Sequence, residues 1–421
     1  MVGEVLIYIS IYISLLIFSF YSIIFIKNLN KKYPLFKEKE LPSLSIIIPA
    51  YNEEETIKKT IESALNLDYP RDRFEVIVID DGSKDKTYQI AKSIKSKYLR
   101  VFTKKNEGKA KALNLGISKA RGDFIITMDA DTFAEKNAAK EMIKYFKDKE
   151  VMCVTPSMLI YKPKTFWQKL QQGEYLFGIY LRKTFHILES IHVTPGAFSA
   201  YRKSFFEKYG GFVGIEKGNL TEDLEMALRI QFLKYKIANA QKAVVYTIGP
   251  KNFKELTKQR KRWYTGSIKN YLNYLNILSK DYGDLGLVIF PLVWISIFFS
   301  LFLFSYFIYK TLDSAYKEYL ILNSFGFDIT QRLVFSFDNS LFFLTLERKF
   351  FSLFNEPLFL FTILLIIVTF SYNLYSRKKT GCKESFYIGS FLFIFFYGLF
   401  YAVWWIISII SYFFSKENKW D

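Results

Sequence analysis

Three short strings in this chain have the composition of reaction machinery. Gln259–Trp263 reads QRKRW, an amide, three cations and an indole in consecutive positions. Guanidinium groups grip phosphate oxygens through a planar fork, and an indole face stacks on a pyranose ring. The string therefore suits a site that holds both a diphosphate and a sugar. Thr221–Asp223 reads TED and opens TEDLEMALRI, the pattern of a capped, acidic helix start. Crowding Glu222, Asp223 and Glu225 together raises at least one carboxyl pKa, which serves a general base that takes a proton from a hydroxyl. Asp129 and Asp131, in DAD, leave an apolar run two positions apart. Such a pair can share a divalent cation that also takes diphosphate oxygens. Each string also has a plain structural use, so the weight lies in their combination.

Two further segments add to the set. In DDGSKD (Asp80–Asp85), adjacent carboxylates can accept from a ribose or a base imide, Gly82 permits a tight turn, and Ser83 and Asp85 can cap a helix. In NEGKAKALN (Asn106–Asn114), Lys109 and Lys111 stand near a helix start, a place suited to anions.

The elements that must position these residues are legible as apolar runs. Leu44–Pro49 (LSIIIP), Phe74–Asp80 (FEVIVID) and Asp123–Met128 (DFIITM) are short and bounded by turn residues, with helical spacing at Asn52–Leu67 and before Asp123. Apolar strands alternating with helices predict a parallel α/β sheet. In such sheets ligands sit beyond the carboxyl ends of the strands, and AYNEE, DDGSKD and MDADT all fall there.

About half of the 421 residues are hydrophobic and the formal charge is +18. Nucleic acid, anionic lipid and phosphorylated small molecules are candidate partners for such charge. No groove-reading motif or basic tail is present, so no nucleic-acid role is expected. Cys153 and Cys382 are far apart and His186 and His192 lack zinc-type spacing, so a metal site here must use carboxylates and a hard cation.

Val5–Ile26 is apolar and long enough to span a bilayer. Glu4 precedes it and KNLNKKYPLFKEK follows, which places the N-terminus outside and Lys27 onward in the cytoplasm. Further spans are predicted at Leu285–Tyr309, Phe354–Tyr375 and Phe386–Phe414, with a mixed stretch at Lys310–Leu353 read as a loop with interfacial helices. The basic loop Tyr375–Ser385 is expected in the cytoplasm. The predicted division is thus a span in 1–27, a cytoplasmic domain in 28–276 and a membrane domain in 277–421. Residues 166–188 and 253–275 mix aromatics with Lys and Arg, as interfacial helices do.

In order, IIIPAYNEE, DDGSKD, GKAKALNLG, DAD, GAFSAYR, TED and QRKRW resemble the membrane-bound family 2 glycosyltransferases. Their pattern is closest to the processive polysaccharide synthases that make hyaluronan, chitin, cellulose and poly-N-acetylglucosamine. The resemblance spans about Leu44 to Gly266. It implies a GT-A α/β catalytic fold with transmembrane and interfacial helices, a nucleotide-diphosphate sugar donor and an inverting single displacement. It also implies that Pro49, Tyr51, Glu53 and Asp81 hold the nucleoside side of the donor, that Lys109 contacts the diphosphate, and that Asp131 with Asp129 binds Mg2+ or Mn2+. Asp223, beside Glu222, is the implied base. Gly196, Ser199, Tyr201 and Arg202 are implied to shape the acceptor terminus. Gln259, Arg262 and Trp263 are implied to close the site, with Arg262 on the diphosphate and Trp263 under the acceptor sugar.

The expected activity is sugar transfer to a growing polysaccharide, from UDP-N-acetylglucosamine or UDP-glucose, at the lipid bilayer. The membrane part is smaller than in cellulose synthase, which keeps open a single addition to a polyprenyl phosphate or glycolipid. A nucleotide-sensing transporter or receptor is a remote alternative, since the runs Leu285–Phe307 and Phe386–Phe414 carry no charge. Tyr residues, Trp404 and Trp405 could line a polysaccharide path, or serve equally well as interfacial or packing aromatics.

Overall fold

A computed structural model describes residues 2–214, 218–324 and 357–414. Among them, eight strands form one sheet: β1 (Leu44–Ala50), β2 (Phe74–Asp80), β3 (Leu99–Thr103), β4 (Phe124–Met128), β5 (Thr132–Ala134), β6 (Val151–Ile160), β7 (Phe198–Arg202) and β8 (Lys236–Thr247). The helices are α1 (Val2–Lys27), α2 (Ile57–Leu65), α3 (Thr87–Ser93), α4 (Lys109–Lys119), α5 (Ala138–Ile143), α6 (Phe166–Ile187), α7 (Lys203–Tyr209), α8 (Glu222–Phe232), α9 (Phe253–Asn273), α10 (Phe290–Ser324), α11 (Pro357–Thr380) and α12 (Phe386–Phe414).

The strand order is β3-β2-β1-β4-β7-β6-β8-β5. β3, β2, β1 and β4 are parallel, as their apolar runs predict. The other half departs from an all-parallel sheet, because β7 runs antiparallel to both β4 and β6. The chain leaves the end of β6 through α6 and re-enters the sheet from that same end, so no crossover is made. This reversal matters for the site: the start of β7 lies beside the end of β4, and Phe198 pairs with Met128.

Every residue of β1 is buried, and the two faces of the sheet feed two cores. Ile46, Ile48, Val76 and Val78 pack with Ile57, Ile61 and Met142 on one side. Ile47, Ile77 and Ile79 pack with Leu113, Ile117, Met226 and Ile230 on the other. The alternation is the period of two that a strand imposes.

The chain divides into two compact units, one of Met1–Ile23 with Trp294–Ser371 and one of Ile24–Val293 with Tyr372–Asp421. The second holds the sheet and, unlike the predicted division at residue 276, also α12. Within it α12 packs along α6 and α9. The latter two helices, expected to be interfacial, pack between an apolar helix and the rest of this unit: α6 also packs on β6, and α9 on α8. At the α6–α12 crossing, a Cβ on Gly173 would land on the Gly389 carbonyl oxygen, and a Cβ on Gly389 would lie 2.7 Å from the Lys169 carbonyl oxygen. Gln172 crosses the same contact, accepting from the Ile160 amide (2.8 Å) while its amide lies 3.0 Å from Cys382 Sγ.

The first unit is helical in its described residues, and many of its apolar side chains stay open: Tyr12 is 65% exposed and Phe298 61%. Among the described residues, four helical segments, Val5–Lys27, Leu285–Ser324, Phe359–Thr380 and Phe386–Phe414, are long and apolar enough to cross a membrane. The second corrects the sequence reading. Helix continues from the expected end at Tyr309 through Ser324, where an Asp313–Lys317 pair one turn apart (2.7 Å) supports it. The rest of the mixed stretch, 325–353, and residues 354–356 of the third predicted span lie outside the described residues. The basic loop shortens as well, because α11 runs on to Thr380.

The backbone contact at the α6–α12 crossing has no room for a side chain. Gly173→Leu is expected to cost about 1–3 kcal/mol of stability by overpacking, read as a lower unfolding temperature of the detergent-solubilised protein. Gly178→Leu, where a Cβ meets nothing within 4 Å, is the control.

Candidate active site

The carboxyl ends of β1, β2 and β4 share one side of the sheet and carry AYNEE, DDGSKD and DAD. The first two loops are laced to each other. Ser83 Oγ accepts from the Asn52 amide (3.0 Å), Thr87 Oγ1 from the Glu53 amide (2.7 Å), and Asn52 Oδ1 from the Lys84 amide (2.9 Å). Tyr51 projects from this junction, 42% exposed, while Pro49 stays in the buried strand. Asp81 is buried, and its carboxylate accepts from Lys104 Nζ (2.7 Å) and the Gly108 amide (2.8 Å). It ties the end of β2 to the loop that starts α4, and that loop presents Lys109.

Lys109 is the hub of the site. Its Nζ lies 2.6 Å from Asp129 Oδ1 and 3.2 Å from Glu222 Oε1. Burial works against its charge, but the Asp129 and Glu222 carboxylates outweigh burial and hold the ammonium well above its ordinary pKa. DAD is held in place from two sides, because the Asp129 amide donates to the Ala197 carbonyl (2.9 Å) and Thr60 on α2 donates to the Ala130 carbonyl (2.7 Å). Burial, then the Asp129 and Glu53 charges, push the Asp131 carboxyl up to about 7. Burial also raises Glu53, whose carboxylate accepts from Thr56 Oγ1 (2.8 Å).

Glu222 and Asp223 sit at the first turn of α8 with opposite fates. Burial disfavours the Glu222 carboxylate, yet Lys109 more than compensates and its pKa is lowered. Asp223 is pushed up to about 6 by burial and then by Glu222. It is enclosed by protein but keeps part of its surface open. Asp223 Oδ2 accepts from the Gly196 amide (2.9 Å) and Oδ1 from the Leu224 amide (2.8 Å). These bonds fix the carboxylate at the start of β7, where a Cβ on residue 196 would lie 2.7 Å from Oδ2. Glu225, the third crowded acid, turns away and pairs with Arg229 (2.6 Å).

QRKRW lies on α9, clamped to the same loop. Asn270 Nδ2 donates to Thr221 Oγ1 (2.9 Å) and Asn219 Oδ1 (3.0 Å). Arg262 acts electrostatically on both Glu222 and Asp223. Gln259 Oε1 is buried and makes no hydrogen bond to any described residue.

The cation that sequence reasoning passed over is Arg260. It is fully buried and forms a forked pair with Glu174 on α6, at 2.9 and 2.6 Å. Tyr397 on α12 donates to the same carboxylate (2.8 Å), and the guanidinium lies over the rings of Trp263 (4.4 Å) and Trp404 (5.7 Å). One face of Trp263 is thus occupied by Arg260. The available signal was Glu174 itself, a lone acid in an aromatic, Gln-rich helix that required a cation.

Three acceptor expectations change. Ser199 and Tyr201 are fully buried in β7, with Tyr201 packed on Phe206 and Phe212. Arg202 pairs with Phe124 at the opposite end of β4 and donates to the Phe146 (2.8 Å) and Asp148 (3.1 Å) carbonyls. Of the GAFSAYR residues assigned to the acceptor, only Gly196 reaches the site, since β7 carries the others away from it. Trp404 and Trp405 are packing residues: both are buried, and Trp405 stacks on Tyr264 at 4.6 Å.

Among the described residues no three His, Cys, Asp or Glu side chains gather into a self-sufficient metal cage. Asp129 and Asp131 offer oxygen donors alone, and Asp131 is a half-buried carboxyl whose ionisation a cation would favour. The pair fits a hard divalent ion that completes its coordination with phosphate oxygens and water.

Residues 45–210 match the family model described as Glycosyl transferase family 2. The chain carries a family 2 glycosyltransferase domain. It is 33% identical over 261 residues to a probable glycosyltransferase, YdaM, of Bacillus subtilis (strain 168), covering 58% of this chain and 60% of that one. It is 32% identical over 244 residues to poly-beta-1,6-N-acetyl-D-glucosamine synthase of Staphylococcus aureus (strain COL), covering 57% and 58%. The chain thus matches about three fifths of the length of these relatives. In fold it is similar, with a TM-score of 0.59 and 16% identity over 99% of this chain and 100% of the other, to a mannosyltransferase from Pyrobaculum calidifontis solved with GDP-Man and Mn2+. The glycosyltransferase domain has the GT-A architecture.

Asp223→Asn is expected to cut transfer roughly 10²–10⁴-fold, the span of general-base catalysis, with nucleotide binding retained. With Asp223 as the expected base, kcat/KM of the parent protein should fall as pH drops through about 6, where its carboxylate is protonated. Gly196→Ala should also impair transfer, since the new methyl meets the Asp223 carboxylate; full activity of this variant would contradict the Gly196–Asp223 contact.

Proposed function

We propose that this glycosyltransferase works at the bilayer and transfers a sugar, with inversion, from a nucleotide-diphosphate donor to the end of a growing saccharide. UDP-N-acetylglucosamine and UDP-glucose are the proposed donors. The observation that carries the reading is the double contact of Lys109, which sets a diphosphate-suited carboxylate pair beside a raised carboxyl at Asp223.

In the proposed reaction Asp223 takes the proton of the acceptor hydroxyl as that oxygen attacks the anomeric carbon. The bond from that carbon to the diphosphate breaks on the opposite face, which inverts the configuration. Lys109 and Arg262 place positive charge where the diphosphate charge develops. Mg2+ or Mn2+ held by Asp129 and Asp131 would add charge neutralisation of the leaving diphosphate. Tyr51, Glu53 and Asp81 hold the nucleoside side, and Gln259 offers its unpartnered oxygen to the substrate. Trp263 is proposed to face the acceptor sugar from the side that Arg260 leaves open. The proposed placement has residues 28–276 in the cytoplasm and the N-terminus outside. Similarity to a poly-N-acetylglucosamine synthase supports a polymer product.

A second reading, single addition to a polyprenyl phosphate or glycolipid, gains from the burial of Trp404 and Trp405, which leaves those rings no role in lining a polymer path. The fold likeness to a protein solved with GDP-Man and Mn2+ adds a mannose donor to the candidates and supports a divalent ion.

Purified full-length protein incubated with a panel of UDP- and GDP-sugars should release nucleoside diphosphate with UDP-N-acetylglucosamine or UDP-glucose and give a ladder of products by mass. A lone glycolipid product would replace the polymer reading. Chelation should abolish turnover, and full activity in chelator would remove the metal role of Asp129 and Asp131.

A further inference from the structure

Just beyond the apolar run of α1, three ammonium groups from three separate elements converge on two tyrosines. Lys31, after α1, holds its Nζ 5.7 Å from the centre of the Tyr33 ring and donates to the Ile187 carbonyl at 3.4 Å. Lys183, on α6, lies over the same ring at 4.7 Å. Lys379, in the basic last turn of α11, lies 5.6 Å from the Tyr375 ring. Phe25 joins the three elements, packing on Tyr180 at 4.8 Å and on Tyr375 at 4.7 Å.

None of these three ammonium groups has a carboxylate within 4 Å among the described residues. Glu189, the acid that acts on Tyr33, is paired with Lys236 at 3.4 Å. Burial, then Lys31 and Lys379, push Lys183 down to about 8, so the group is short of negative charge as it stands. Polar demand is unmet there too. The buried Tyr33 hydroxyl makes no hydrogen bond to a described residue, and neither does Nδ1 of His186, whose ring stacks on Tyr33 at 4.4 Å.

We propose that Lys31, Lys183 and Lys379 form a binding site for the phosphate of an anionic lipid headgroup. Like charges brought together from separate elements require a counter-charge. A lipid is favoured over a soluble anion because the site follows the end of one membrane-length helix and sits at the basic end of another. Polybasic groups at that depth attract anionic headgroups. The bound lipid would fix the depth of α6, which carries Glu174. This site is separate from the sugar-transfer site and does not depend on which donor is used.

The test is native mass spectrometry of the full chain released from nanodiscs of phosphatidylcholine, with or without phosphatidylglycerol. The parent should retain phosphatidylglycerol, and Lys31→Gln/Lys183→Gln/Lys379→Gln should bind it roughly tenfold or more weakly. The matching triple Lys→Arg variant should retain it. Lys92→Gln/Lys95→Gln/Lys97→Gln, an equal loss of charge on and after α3, should also retain it. Lys31 and Lys379 are exposed, so Lys31→Gln/Lys379→Gln keeps the fold intact and should still weaken retention. Unchanged retention in the glutamine variants, or equal loss in the α3 control, would overturn the proposal. Displacement of the lipid by inorganic phosphate at matched ionic strength would overturn it in favour of a soluble anion.

Discussion

One ammonium group, that of Lys109, stands between carboxylates that the chain supplies from opposite halves of the sheet. Asp129 arrives at the end of a parallel strand and Glu222 at the first turn of a helix beside the mixed half. Without the cation these acids would repel one another in a poorly solvated cleft. With it, Glu222 stays ionised, and that charge is part of what raises its neighbour. The site thus divides labour between adjacent acids: one is a fixed charge and the other a carboxyl that titrates near neutrality. The antiparallel entry of β7 completes the division by bringing the Gly196 amide onto the titrating carboxylate.

A second charge, that of Arg260, governs the other wall. A buried ion pair recovers its desolvation cost only with good geometry and hydrogen bonding. Here both guanidinium NH2 groups are forked onto Glu174, two indole rings lie near the cation and Tyr397 donates to the carboxylate, while Arg260 Nε has no hydrogen-bond partner among the described residues. The pair links α9 to α6 and α12, so the apolar helix is structural support for the turn that carries Arg262 and Trp263. Trp404 reinforces the link by donating to Thr257 (3.1 Å).

The first half of the sheet was readable because each strand is an uninterrupted apolar run that ends in a polar motif. The second half was harder. β6 and β8 carry Thr155, Ser157 and Asn239, whose partners lie across the sheet, as when Asn239 donates to the Thr155 carbonyl (3.2 Å), so local sequence does not mark them as buried. In GAFSAYR the motif pointed to a site, but a strand moves its later residues about 3.3 Å further away at each step, and Arg202 ends at the far edge of β4. In QRKRW two arginines look alike in sequence. Only the position of Glu174 tells the buried one from the one near the acids. The same holds for α6 and α9, whose aromatic and basic composition suits a bilayer surface equally well as a protein interface.

The α6–α12 crossing carries a consequence for the timing of synthesis. Gln172 on α6 and Cys382, in the loop that leads into α12, are 210 residues apart in sequence. At about 5–20 residues per second, roughly 10–40 s separate the emergence of α6 from that of its cover. The sheet, complete by Thr247, can fold in that interval with the glycine and glutamine face of α6 bare. The nascent chain therefore passes through a stage in which the loops at the strand ends can form while the helix bearing Glu174 lacks its cover, and that helix face stays bare until Phe386–Phe414 emerges.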